Sequence, residues 1–150
     1  MAQPVLLAPL NAVRTAVYDR LNTDANTSGY TLAKEGGSAA FPYLVVGPAY
    51  KGSGGTDPDL GVVVLVQVDA FASTSGGGAF RVSAMMDAVA LALTADDLTV
   101  EVRTADGPTV TSRPLTITIE DDVLNPDLRD AADGETYAQR FVRFRFLLTT

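Results

Sequence analysis

The sequence predicts an α+β fold: one two-layer domain over residues 1–150, with a mixed, mostly antiparallel sheet of about four to five strands and two helices packed on one face. Three observations predict it. A Val-rich run over residues 60–71 is the strongest strand in the chain. It leads through Gly76, Gly77 and Gly78 into an amphipathic helix over residues 79–93. Alternating runs separated by turn signals then fill the rest of the chain, a spacing that favours antiparallel pairing.

The first helix is expected over residues 5–22, because Leu6, Leu10, Val13, Val17 and Leu21 recur at helical spacing. Pro9 offers an alternative start, since proline suits the first helical turn and removes a donor further in. Residues 23–40 read as loop by composition, with room for a short strand at residues 30–34. A strand over residues 41–50 has an apolar heart from Tyr43 to Val46, flanked by Pro42 and Pro48. The Gly-rich stretch 51–59 reads as a hairpin loop.

In the run 60–71, Val62, Val64, Val66 and Val68 form one face and Val63, Leu65, Gln67, Asp69 and Phe71 the other. Its first half is apolar on both sides and calls for cover on both. The second helix buries Val82, Met85, Met86, Val89, Ala90 and Leu93. Residues 98–104 alternate as a strand, and Asp106-Gly107-Pro108 signals a turn. A strand over 109–120 is broken near Arg113-Pro114, and residues 121–136 read as a long acidic loop. The last strand, 137–148, turns Val142, Phe144, Phe146 and Leu148 inward and Phe141, Arg143, Arg145 and Leu147 outward.

Composition narrows the chemistry. Apolar residues at 47% and charged residues at 19% describe an ordinary globular chain, long enough for a core without staples. There is no cysteine and no histidine, which removes thiolate chemistry and the commonest general base and metal ligand. A net charge of −7 gives the long-range field the wrong sign for nucleic acid or anionic lipid. Met1-Ala2-Gln3-Pro4 lacks the cationic start of a signal peptide, and no run approaches the roughly 18 apolar residues of a membrane helix. The expectation is a soluble chain made in the cytoplasm.

The triple-Gly loop resembles a phosphate cradle in outline only. Gly78 is followed by Ala79 and Phe80, where a P-loop needs Lys and Ser/Thr. Arg81 occupies the third glycine position of the dinucleotide pattern, so the loop reads as a connector. Glu120, Asp121, Asp122, Asp127, Asp130, Asp133 and Glu135 miss the alternating calcium-loop spacing and read as solvated charge. Ser38, Ser53, Ser75 and Ser83 lack a nucleophile elbow, and only Lys34 and Lys51 could serve a serine as base. Arg143 and Arg145 share a strand face, suited to cross-strand pairing with Glu101 or Glu120 or to meeting an acidic partner. No catalytic, cofactor-binding or metal-binding residue is assigned.

Several strings resemble the tail-terminator (tail-completion) family of long-tailed bacteriophages. They are the N-terminal amphipathic helix, F-P-Y-L-V-V from Phe41 to Val46, V-Q-V-D-A-F-A from Val66 to Ala72, M-M-D-A-V-A-L-A-L from Met85 to Leu93, and F-x-F at Phe144 to Phe146. The stretches 51–59 and 121–136 depart from the family pattern. The resemblance implies a non-enzymatic virion protein at the head-proximal end of the tail. Such proteins form a ring, expected to be a homohexamer, that caps the tail tube, ends its polymerisation and presents a surface for head–tail joining. Its partners would be copies of itself, the tail tube protein and a head–tail connector or stopper, with DNA only passing through the ring. On this reading Val63, Leu65, Phe71, Phe141 and Leu147 are candidate subunit-interface residues, and Arg143 and Arg145 candidates to face the lumen. The competing readings are a head-closure or connector neck protein and a small carboxylate-based enzyme or ligand-binding module.

Overall fold

The structure, a computed structural model, describes residues 6–33, 40–52, 62–94, 98–104, 109–112, 116–129 and 134–148. In chain order the elements are β1 (Leu6–Leu7), α1 (Pro9–Thr23), β2 (Thr31–Ala33), β3 (Tyr43–Lys51) and β4 (Val62–Ser73). A 3₁₀ turn (Thr74–Gly76) leads to α2 (Gly78–Leu93), and then come β5 (Val100–Thr104), β6 (Thr109–Ser112), β7 (Thr116–Arg129) and β8 (Thr136–Leu148).

The expected α+β architecture is present. A five-stranded sheet runs in the order β2-β3-β4-β8-β7, parallel between β2 and β3 and antiparallel elsewhere. Both helices pack on one of its faces, α1 against β3 and β4, α2 against β8 and β4. A second, three-stranded sheet, β1-β5-β6, lies beside α1 and was not anticipated. β5 and β6 therefore belong to a different sheet from β4 and β7, the strands before and after them.

The core is what the periodicity demands. Val13, Val17 and Leu21 of α1 meet Val64, Val66 and Val68 of β4 and Val142, Phe144, Phe146 and Leu148 of β8. Val82, Met85, Met86, Val89 and Leu93 of α2 close the same cluster. A smaller cluster of Ala33, Tyr43 and Val45 sits apart from it, with Phe41 and Phe71 packed alongside.

Several boundaries move, each for a physical reason. The first helix begins at Pro9, not at residue 5, and Leu6–Leu7 pairs with Arg103 and Thr104 instead. A residue before proline is kept out of the helical region, and Pro9 at the first turn has no N–H to leave unpaired. Ala8 itself takes a left-handed conformation, φ 47° and ψ 50°, at the entry to the helix. The larger correction is the acidic loop. Residues 121–129 are not loop but the second half of β7, which pairs with β8 from Thr116↔Leu147 to Arg129↔Thr136. Register shifts between Ile119 and Asp121, and between Asn125 and Leu128, interrupt its period-two pattern and hid it from an alternation reading. Residues 34–39, 53–61, 113–115 and 130–133 of the expected loops and breaks, with Asp130 and Asp133 among them, lie outside the described residues.

The glycine run turns the chain from β4 into α2. Ser73 Oγ accepts from Gly76 N–H at 3.1 Å, and Gly77 and Gly78 have φ 111° and 49°. Positive φ costs a side-chain-bearing residue free energy. A Cβ on Gly77 would also stand 3.0 Å from Arg81 Cβ. Gly77→Ala is expected to destabilise by about 1–2 kcal/mol in urea unfolding. Phe144→Ala, at the centre of the core, is expected to cost about 3–5 kcal/mol.

Candidate interaction surface

The helices cover one side of the five-stranded sheet. On the other side, strand alternation presents Leu65, Gln67, Asp69 and Phe71 of β4 beside Tyr137, Gln139, Phe141, Arg143, Arg145 and Leu147 of β8. The surface has three zones along the strands.

At one end is an aromatic stack. Phe41 lies 5.6 Å from both Tyr43 and Tyr137, and Tyr43 lies 4.8 Å from Phe71, centroid to centroid. These aromatics come from the segment before β3 and from β3, β4 and β8, so register alone assembles them. Such stacked pairs contribute about 0.5–1.5 kcal/mol beyond area burial.

In the middle is a polar network around Asp69, which is only 8% exposed. Gln67 Nε2 donates to Asp69 Oδ1 at 3.0 Å, and Gln139 Nε2 donates to the same oxygen at 3.2 Å. Arg143 Nε donates to Gln67 Oε1 at 3.2 Å. Burial pushes the Asp69 carboxyl above its ordinary value, against the hydrogen bonds from Gln67 and Gln139 and the charge of Arg143, which pull it down. The Q-x-D pattern noted in the sequence is thus one hydrogen-bonded unit on one sheet face.

At the far end are Leu65 and Leu147, half-buried, with Val63 fully buried at 1% exposure. Of the candidate interface residues, Leu65, Phe71, Phe141 and Leu147 are half-exposed on this surface, while Val63 is enclosed within the chain. Phe71 is committed to the aromatic stack. Arg143 stands over the rings of Phe141 and Tyr50 at 5.7 and 5.8 Å.

The arginines of β8 are tied to carboxylates of β7. Arg143 meets Asp121 at 2.9 Å, and Arg145 approaches Glu120 at 3.9 Å. On the helix side, Arg140 makes a two-pronged contact with Asp122, Nε to Oδ1 at 2.8 Å and Nη2 to Oδ2 at 2.7 Å. The hydrogen bond from Arg140 holds the Asp122 carboxyl below its ordinary range. Glu120 is the partner expected for Arg145; Glu101, the other residue considered, lies on β5 in the second sheet. Arg143 and Arg145 therefore face matched negative charge and do not form a free basic patch. Each such exposed pair contributes under about 1 kcal/mol.

Elsewhere, an open groove of about 890 Å³ runs between α1 and β5, lined by Ala12, Thr15, Ala16, Asp19, Glu101 and Arg103 among others. Among the described residues, no group of three Asp or Glu side chains is placed to hold a metal ion, and no helix is long and apolar enough to cross a membrane. The side chains whose exposure sequence reading missed are the large apolar ones Phe80 and Leu91 on α2 and Ile119, Val123 and Leu124 on β7. Ile117 and Ile119 share the helix side of β7, where Ile117 packs against the core and Ile119 stays exposed.

No protein-family model and no curated protein matches the sequence. Among solved structures, the chain is similar to a chain of a particle titled "Virion of native gene transfer agent (GTA) particle". The TM-score is 0.60 at 19% identity, over 94% of this chain and 97% of the other. At that identity the match shows a shared fold across nearly the whole of both chains.

Asp69 yields a pH prediction with a definite sign. Its folded carboxyl holds the proton more tightly than the unfolded one, so stability from this group is complete below the ordinary carboxylate range and is lost as pH rises through the raised value. Asn cannot titrate. The stability of Asp69→Asn relative to the parent is expected to increase as pH climbs from about 4 towards neutrality. Thermal unfolding across that range reads it, and a difference that stays flat with pH would sink the assignment.

Proposed function

We propose that this chain is a non-enzymatic structural component of a phage-like particle, a tail terminator that forms a ring on the head-proximal end of the tail tube. The observation that carries the reading is the match along almost the full length of both chains to a protein of a gene transfer agent virion. The resemblance of Val66–Ala72 and Met85–Leu93 to the tail-terminator family supplies the finer role.

The surface chemistry supports self-assembly. The sheet face away from the helices carries half-exposed Leu65, Phe141 and Leu147 around a satisfied polar centre. Apolar anchors around hydrogen-bonded polar groups suit a subunit interface, where bare charge would be expensive to desolvate. A ring built from one chain needs such a face on every copy. The lumen role of Arg143 and Arg145 receives less support, because both arginines already face carboxylates. A hexamer is the stoichiometry this reading carries, with the tail tube protein and a head–tail connector as its neighbours.

The test is co-assembly. Added to polymerising tail tube protein of the same particle, the chain is expected to shorten the tubes seen by electron microscopy and to appear at one tube end. Binding to the portal or connector with no effect on tube length would favour the head-closure reading instead. Leu65→Asp combined with Leu147→Asp is expected to keep the circular dichroism of the parent while ring formation is lost in native mass measurement. Rings that survive this change would remove the sheet face from the interface.

A further inference from the structure

We propose that ring formation through the outer sheet face is linked to proton uptake: each copy takes a proton at Asp69 when a neighbouring copy covers it. This rests on the ring proposed above and adds its regulation.

The charges of that face leave Asp69 without a counterpart. Among the described residues, Arg143 and Arg145 stand there against Glu120, Asp121 and Asp69. Arg143 meets Asp121 and Arg145 approaches Glu120, so each of these pairs is neutral as a unit. The carboxyl of Asp69 takes its hydrogen bonds from Gln67 and Gln139, and both donors are neutral amides. Arg143 spends its Nε on Gln67 Oε1 at 3.2 Å and its Nη1 on Asp121 Oδ2 at 2.9 Å. Its charge therefore reaches Asp69 through space and is already answered by Asp121.

The other neighbours do not supply the missing charge. In register beside Asp69 stand Val45 of β3 and Phe141 of β8. On β7, Asn125 donates to Gln139 Oε1 at 3.4 Å. The remaining titratable groups on this side are the phenols of Tyr43, Tyr50 and Tyr137. From the helix layer, Arg14 of α1 ends on the carbonyls of Gly47 and Val46.

Water is close to Asp69 in the single subunit, because the Arg143 and Asp121 side chains around it are 37% and 47% exposed. A neighbouring copy laid on the face replaces that water with protein. Matched ion pairs enter such an interface as dipoles, whereas an unmatched carboxylate enters as a charge at a far higher cost. Protonation removes the charge, and burial already favours the protonated carboxyl in the free chain. The covered group thus holds its proton more tightly than the free one. Association grows as pH falls from the covered value to the free value and levels off below it.

Sedimentation of the full chain between about pH 4.5 and 8, at fixed high salt to screen the general repulsion of an acidic protein, tests this. The association constant is expected to rise about tenfold per pH unit on acidification, the slope of one proton per interface. Asp69→Asn is expected to form rings at neutral pH as well as the parent does in acid, with that slope lost. Asp87→Asn, on the exposed side of α2, is expected to keep the slope. Calorimetry of parent assembly in two buffers of different ionisation enthalpy counts the same proton without any variant. Rings whose strength stays flat with pH, or a slope that survives in Asp69→Asn, would overturn the proton linkage and leave the ring intact. Rings that weaken in acid would overturn it in favour of a cation supplied by the neighbour. If neither the parent nor Asp69→Asn forms rings at any pH, both this and the ring reading fall.

Discussion

The pairing of β4 with β8 is the constraint on which the rest depends. The two strands run together from Val62↔Leu148 to Ser73↔Tyr137 without a register shift. A strand slipped by one residue turns all its side chains to the opposite face. Here that slip would carry Phe144 and Phe146 out of the helix side and put Arg143 and Arg145 into it. The cost of burying two unpaired guanidinium groups rules out any slip by an odd number of residues. Both helices then dock on the same Val and Phe ridge.

That register also organises the opposite face. It sets Gln67 beside Arg143 and Asp69 beside Phe141, with Gln139 one rung further on. Two glutamines donate to the buried carboxylate and Arg143 holds Gln67 in turn, and among the described residues no buried side-chain polar atom lacks a partner. A carboxylate held in this way is a specifying feature of the sheet, since it tolerates little displacement of β4 relative to β8. The sheet thus has an oily side for its helices and a mixed side whose polar groups are already hydrogen-bonded.

The edges add the remaining asymmetry. One ends in a bulge sealed by Arg14, and the other in a long, acidic strand with exposed aliphatic side chains.

Much of this was legible in the order of residues. The two helices, the central strands and their inward faces follow from periodicity, because burial along one stripe of a helix or one side of a strand is a local property of spacing. The Q-x-D string at Gln67 and Asp69 was visible too, though its third partner, Gln139, was not. Only the tertiary structure decided that residues 121–129 pair as a strand, that β5 and β6 leave the main sheet, and that Val63 is enclosed while Ile119 is exposed. The reason is the same in each case. Glu120, Asp121 and Asp122 read as loop because isolated charge belongs in water; paired with Arg145, Arg143 and Arg140 of the neighbouring strand, some twenty residues away, the same charge becomes part of the sheet, and no local pattern encodes that meeting.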